Sequence, residues 1–171
     1  MRSVNIPEAT NSILTEKMKE NQSFYSLMQY MESQTEPISK QTILDRNFDK
    51  KRRVELYLRI LLIGQYVDKT QDKKFFFNSI TTVDVFVEYP IFTPKSAKLY
   101  SVLLKKGAIS LTQLAKMTKT SYPQLCDEVE LLYYFGVLDY INDGRAKLVF
   151  ITDLGMKFKS FVERIFYYQF A

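Results

Sequence analysis

Residues 111–141 read LTQLAKMTKTSYPQLCDEVELLYYFGVLDYI: two helical patterns, a tight join, and the start of a strand. The first pattern belongs to ISLTQLAKM and predicts a short helix starting near Ser110. The second opens at Ser121 with Pro123 in its first turn and Gln124 three residues on, the spacing of a capping box. Leu125, Val129, Leu132 and Tyr133 recur at the period of one buried helical face. Gly136 marks the end of that helix. VLDYINDGRAKLVFIT then predicts a hairpin with Asn142-Asp143-Gly144 as its turn. Just upstream, SAKLYSVLLKKG predicts another helix, ended by Gly107.

The same order occurs once before. NQSFYSLMQYMES places Phe24, Leu27, Met28 and Met31 on one helical face. Pro37 breaks the chain, and Ser39 is placed to cap a short helix carrying Ile43 and Leu44. A third helix follows, with Asp49 expected as its N-cap and Val54, Leu58, Leu61 and Leu62 on one face. Gly64 stands where a left-handed C-terminal residue is expected. QYVDKTQDKKFFF then reads as strand, polar turn, strand. Ile38 and Ile109, Ile43 and Leu114, and Leu61 and Leu132 each stand 71 positions apart, and Gly64 and Gly136 stand 72 apart. Apolar and glycine positions match while charged positions do not, the pattern of two copies of one core under different surfaces. Two units are therefore expected, 1–89 and 90–171. Between them, Val83, Val85 and Val87 alternate with Asp84, Phe86 and Glu88 as a period-two strand, and Pro90 and Pro94 punctuate a linker.

Composition narrows the function. The chain has 171 residues, 46% of them apolar, 25% charged, and a formal net charge of +5. That charge leans toward an acidic partner. With no histidine, the commonest general base and metal ligand are missing. The single cysteine, Cys126, offers neither a disulfide nor a cysteine zinc site, and is expected to be a half-buried packing residue. No glycine-rich phosphate loop is present, so neither an enzyme nor a bound cofactor is expected. The longest apolar run, around Leu56 to Val67, is interrupted by Arg59 and too short to span a bilayer. No apolar leader is seen at the start. A cytoplasmic, nucleoid-associated or nuclear location is expected.

Three helices followed by a hairpin, with a tight turn between the second and third, resemble the winged helix-turn-helix family. LTQLAKMTKTSYPQLCDEVELLYYFGVLDYI resembles its helix-turn-helix and first wing strand, and ITDLGMKF resembles the segment that leaves the wing for a last helix, here from about Asp153 to Tyr168. The first unit departs from the pattern: its wing is short, and Leu44 stands where the second unit has Ala115. The resemblance implies a mainly α protein with small β-hairpin wings, an α+β chain of tandem winged-helix units.

It further implies duplex DNA as partner, the third helix entering the major groove and the wing touching the backbone. In the first unit those places hold Asn47, Lys50, Lys51, Arg52 and Arg53, then Arg59, with Lys69, Lys73 and Lys74 on the wing. Cations at a helix start oppose the helix dipole, a cost that phosphate neutralisation and counterion release offset. Asn47 or an arginine is placed to reach a base edge. In the second unit Tyr122 and Gln124 are the groove candidates, and Arg145 and Lys147 lie on the wing. Asp127, Glu128 and Glu130 are expected there to repel phosphate, suiting that unit to a protein partner. The terminal helices, through Ile13, Leu14 and Met18 or through Phe161, Ile165 and Tyr168, are candidates for a homodimer contact. Two other readings stay open: a protein-interaction scaffold in a transcription or chromosome-maintenance complex, and single-strand or RNA binding through aromatic side chains.

Overall fold

In the first unit the hydrophobic spacing does produce helices, and their ends are set by local caps. The computed structural model describes residues 8–78 and 90–167, with only the backbone for 8–11. The expected strand over 83–87 and Tyr168 lie outside the described residues. The chain divides into two compact units, Met1–Pro90 and Ile91–Ala171.

The first unit contains α1 (Glu8–Glu20), α2 (Gln22–Ser33), α3 (Lys40–Asp45), α4 (Lys51–Ile63), β1 (Val67–Lys69) and β2 (Phe75–Phe77). Asn21 caps α2 by accepting from the Phe24 amide, and Ser39 caps α3 by accepting from Thr42. β1 and β2 pair antiparallel from Val67–Phe77 to Lys69–Phe75. Ile38, just before α3, bridges to Phe75 as a one-residue third strand. Phe24, Leu27 and Met31 of α2, Ile43 of α3 and Val54, Tyr57, Ile60 and Leu61 of α4 form the core, all fully buried. Leu14 and Met18 of α1 are buried as well, so these two side chains are not offered to a second copy.

The second unit contains α5 (Pro94–Lys106), β3 (Ile109–Ser110), α6 (Leu111–Thr118), α7 (Tyr122–Tyr134), β4 (Leu138–Asp143), β5 (Ala146–Ile151), α8 (Asp153–Met156) and α9 (Lys159–Ile165). Its three-stranded sheet runs β3-β5-β4, all antiparallel. Helix, short strand, helix, helix and two-stranded wing, with the first strand added to the wing, is the arrangement of a winged helix. The class is mixed α+β. Capping boxes close the starts of α5 (Thr93 with Ser96) and α6 (Ser110 with Gln113).

Matched by number, elements of the two units share one offset. α4 and α7 are both 13 residues long and begin 71 positions apart. Ile38 and Ile109 make equivalent bridges, to Phe75 and Val149. Val67 and Leu138 open the two wings, again 71 apart. Every buried position of α7 has a buried counterpart in α4 at this offset.

Three local expectations are corrected. Gly64 is not left-handed (φ −74°); the residue after it, Gln65, is (φ 62°), and Gln65 is the counterpart of Gly136 (φ 76°). Gly64 is small for another reason: a Cβ there would lie 2.6 Å from Leu14 Cδ2 of α1. The second wing turns through Gly144-Arg145, because Asn142 and Asp143 already pair within β4. Gly144 has φ 60° at the first loop position, the place a two-residue hairpin turn reserves for glycine. Lastly, the final helix is two short ones, broken at Lys157 and Phe158. Gly155 is the reason the chain packs there: its Cβ would overlap the Val137 carbonyl, while Tyr100 donates to the Gly155 carbonyl at 2.8 Å. Phe158 and Val162 carry the burial of this segment; Phe161 is half-buried and Ile165 exposed.

Candidate nucleic-acid interface

The start of α4 carries the largest run of cations. Lys50 is the N-cap, not Asp49, and it has no side-chain capping bond. Asp49 instead accepts from the Lys50 amide at 2.7 Å and from the Tyr57 hydroxyl at 2.9 Å. That hydroxyl also receives Arg53 Nε at 3.2 Å, Arg53 Nη2 at 3.0 Å and Asn21 Nδ2 at 3.1 Å. Arg53 Nε lies 3.7 Å from Asp49 Oδ2. The cluster ties the start of α4 to the start of α2, which Asn21 caps. Partial burial works against a charge on Asp49, but the Lys50 amide, Tyr57 and the nearby cations outweigh it and hold its pKa below the ordinary carboxylate value. Burial raises the Tyr57 pKa, so the phenol stays neutral and remains a donor.

This network divides the basic run. Arg53 is half-buried and engaged by the fold, whereas Lys50, Lys51 and Arg52 are exposed. Arg59 lies almost two turns further on and is half-buried. Asn47 is exposed in the α3–α4 turn with φ 53°, and its side-chain amide donates to the Asp45 carbonyl at 3.3 Å. Glu55 pairs with Lys40 at 3.0 Å.

On the first wing, the Lys69 ammonium lies over the Phe75 ring, 5.0 Å from its centre. Lys74 is 3.7 Å from Asp72, an exposed pair of small energetic weight. Lys73 is exposed at the turn with φ 64°.

In the second unit Tyr122 and Gln124 are exposed at the start of α7. The Ser121 capping box does not form: Ser121 is the N-cap but its side chain makes no capping bond. Glu128, expected on the outside, is 8% exposed and occupies the inward position that Tyr57 holds in α4. Asp127 and Glu130 are half-buried. The first turn of α7 therefore presents no carboxylate. Tyr122 shares a hydrogen bond with Cys126 one turn on, which raises the tyrosine's pKa. Cys126 is free and half-buried. Arg145 and Lys147 are exposed on the wing, and the Lys147 ammonium sits 3.9 Å from the centre of the Tyr140 ring.

The tertiary structure adds residues that helix-by-helix reading passes over. Lys95 and Lys98 of α5 and Lys119, which ends α6, line one cavity of about 270 Å³ together with Ser121 and Gln124. No pattern in the sequence joins them, since Lys119 is more than twenty positions from the other two. Among the described residues no group of three or more His, Cys, Asp or Glu is placed to hold a metal ion. No helix among them is long and apolar enough to cross a membrane.

No family model matches the chain. No curated protein matches it either. Among solved structures, it is similar to the PcaV transcriptional regulator from Streptomyces coelicolor, solved with its natural ligand, at a TM-score of 0.36 and 17% identity over 70% of this chain and 77% of that one. A likeness this distant assigns neither partner nor ligand to the present chain.

Proposed function

We propose that this protein binds duplex DNA as a non-catalytic regulator or DNA-organising factor built from two winged-helix units, with the start of α4 as its main phosphate contact. The supporting observation is the contrast between matched helices. At the same place in the repeat, α4 opens with exposed Lys50, Lys51 and Arg52, and α7 with Tyr122, Pro123 and Gln124. The first wing adds Lys73, with Lys69 and Lys74 beside it. α7 has no side-chain cap, so the backbone N–H groups of Tyr122 and Gln124 at its start are open to an anion. Arg53 acts on this reading as the residue that orients α4, while Asn47, Arg59, Tyr122, Gln124, Arg145 and Lys147 are secondary contacts. A protein partner at the second unit and a homodimer through the C-terminal segment are compatible additions.

The test is fluorescence anisotropy of random duplex DNA at several salt concentrations, comparing wild type with K50A/K51A/R52A. Arg53 is left in place because its removal would open the Asp49–Tyr57 network. Each lost phosphate contact lowers the salt slope by about 0.9, so the triple variant is expected to lose about 2.7 from the slope and roughly a hundredfold in affinity at low salt. Absence of wild-type binding at low salt, or an unchanged slope in the variant, would sink this reading. Tighter binding to a single strand than to the duplex would favour the aromatic, single-strand alternative instead.

A further inference from the structure

We infer that the second unit carries a separate binding site for a phosphate group, in the cavity between the start of α5 and the α6–α7 turn. Lys95 and Lys98 approach from the first turns of α5, and Lys119 from the turn. Ser121 and Gln124 close the cavity at the start of α7. No acidic side chain lines it. Among the described residues none of the three ammonium groups has a carboxylate within ion-pair distance. Three like charges gathered in one concavity raise the local potential, and field lines focus in such a recess. A bound oxyanion would neutralise them.

The remaining lining supplies matched donors. The Ser121 hydroxyl is not spent on a helix cap. The N–H groups of Tyr122 and Gln124 have no partner among the described residues. Pro123 between them has no N–H to satisfy. A phosphate carries about −1.5 to −2 charges and three acceptor oxygens, which matches lysines plus backbone and hydroxyl donors.

Two sources share this chemistry: a nucleic-acid backbone and a free phosphate-bearing molecule. The site stands on its own residues, independently of whether the first unit binds DNA. To test it, the full-length ¹⁵N-labelled protein would be titrated with inorganic phosphate at constant ionic strength, and separately with a short duplex, following amide resonances. Phosphate is expected to shift Lys119, Thr120, Ser121 and Gln124 with saturation. In K95Q/K98Q/K119Q the midpoint is expected to weaken by at least about tenfold, the worth of one charge-assisted hydrogen bond. K105Q/K106Q/K116Q, which removes the same charge from exposed positions of the same unit, is expected to leave the midpoint unchanged. If the duplex shifts the same amides and displaces phosphate, the backbone is the source; if only phosphate does, the source is a free ligand. Shifts that never saturate, or an equal loss in both triple variants, overturn the inference. Failure of K50A/K51A/R52A to alter DNA binding would leave these outcomes untouched.

Discussion

α4 and α7 have the same length, begin 71 positions apart, and every buried position of α7 is buried in α4 as well, yet they meet solvent differently. α4 offers lysine and arginine where α7 offers tyrosine, proline and glutamine. The difference between the units goes deeper than surface charge. Where α4 turns Tyr57 inward to hold Arg53 and Asp49 in a polar cluster, α7 turns Glu128 inward. In the second unit the cations instead sit on α5 and on the turn before α7. Comparing equivalent helices alone would assign phosphate contact to the first unit only. Comparing the assembled units finds positive charge beside the start of the third helix in both, delivered by different elements.

The comparison is most open to attack at its core. Ile43 and Leu114 are equivalent and both 0% exposed. Replacing either with alanine is expected to cost about 2–5 kcal/mol, the range for a large buried aliphatic side chain. Urea denaturation of the two single variants, followed by circular dichroism, would show whether the losses are comparable. A near-neutral result for one would mean that the repeat is a matter of spacing without equivalent packing.

The next effect separates the units by pH. Tyr100 stands on α5 where the offset of 71 places Gln29 on α2. Burial, with Glu163 nearby, pushes its pKa from 10.0 up to about 12. The folded state therefore prefers the neutral phenol. This stability is complete below pH 10 and is lost as pH rises toward 12, by roughly 2 kcal/mol. At neutral pH, Y100F is expected to be about 1 kcal/mol less stable, since the bond to the Gly155 carbonyl is gone. Its deficit should shrink toward pH 12, because phenylalanine has no proton to lose. Thermal melts of both proteins between pH 8 and pH 11.5 would check this; a constant gap would mean that Tyr100 does not titrate with a raised pKa.

The smallest effect lies at the end of α4. Gln65 holds a left-handed backbone (φ 62°) where its counterpart is Gly136. A side chain in that region costs about 1–2 kcal/mol, offset in part by the greater entropy glycine loses on folding. Q65G is thus expected to stabilise by about 0.5–1 kcal/mol, read as a shift in the urea midpoint. Destabilisation would mean that the Gln65 side chain makes a contact worth more than its strain.

Much of this molecule was legible from local pattern. Apolar residues at helical spacing report one buried face, because 3.6 residues per turn brings i, i+4 and i+7 together whatever the rest of the chain does. The order of elements and the offset of 71 therefore followed from the residues alone. So did the mixed α and β class, the exposed Lys50, Lys51 and Arg52, and the half-buried Cys126. Caps were less legible. Ser121-x-x-Gln124 has the spacing of a capping box, but Ser110 and Thr93 are the residues that close one. Spacing permits a cap, and only the backbone geometry at the helix start completes it. Glycine was ambiguous for a similar reason. Gly64 answers the close approach of Leu14, a contact between helices, and not a left-handed turn.

What only the tertiary structure settled are the matters that depend on distance in space. Among these are the withdrawal of Arg53 into the Asp49–Tyr57–Asn21 cluster, the burial of Glu128, and the meeting of Lys95 and Lys98 with Lys119. Periodicity names the face on which a residue lies, so it determined the two cores. It carries no information about which faces of different helices confront one another. The packing of α5 against α6 and α7 fixed that, and with it the second concentration of charge.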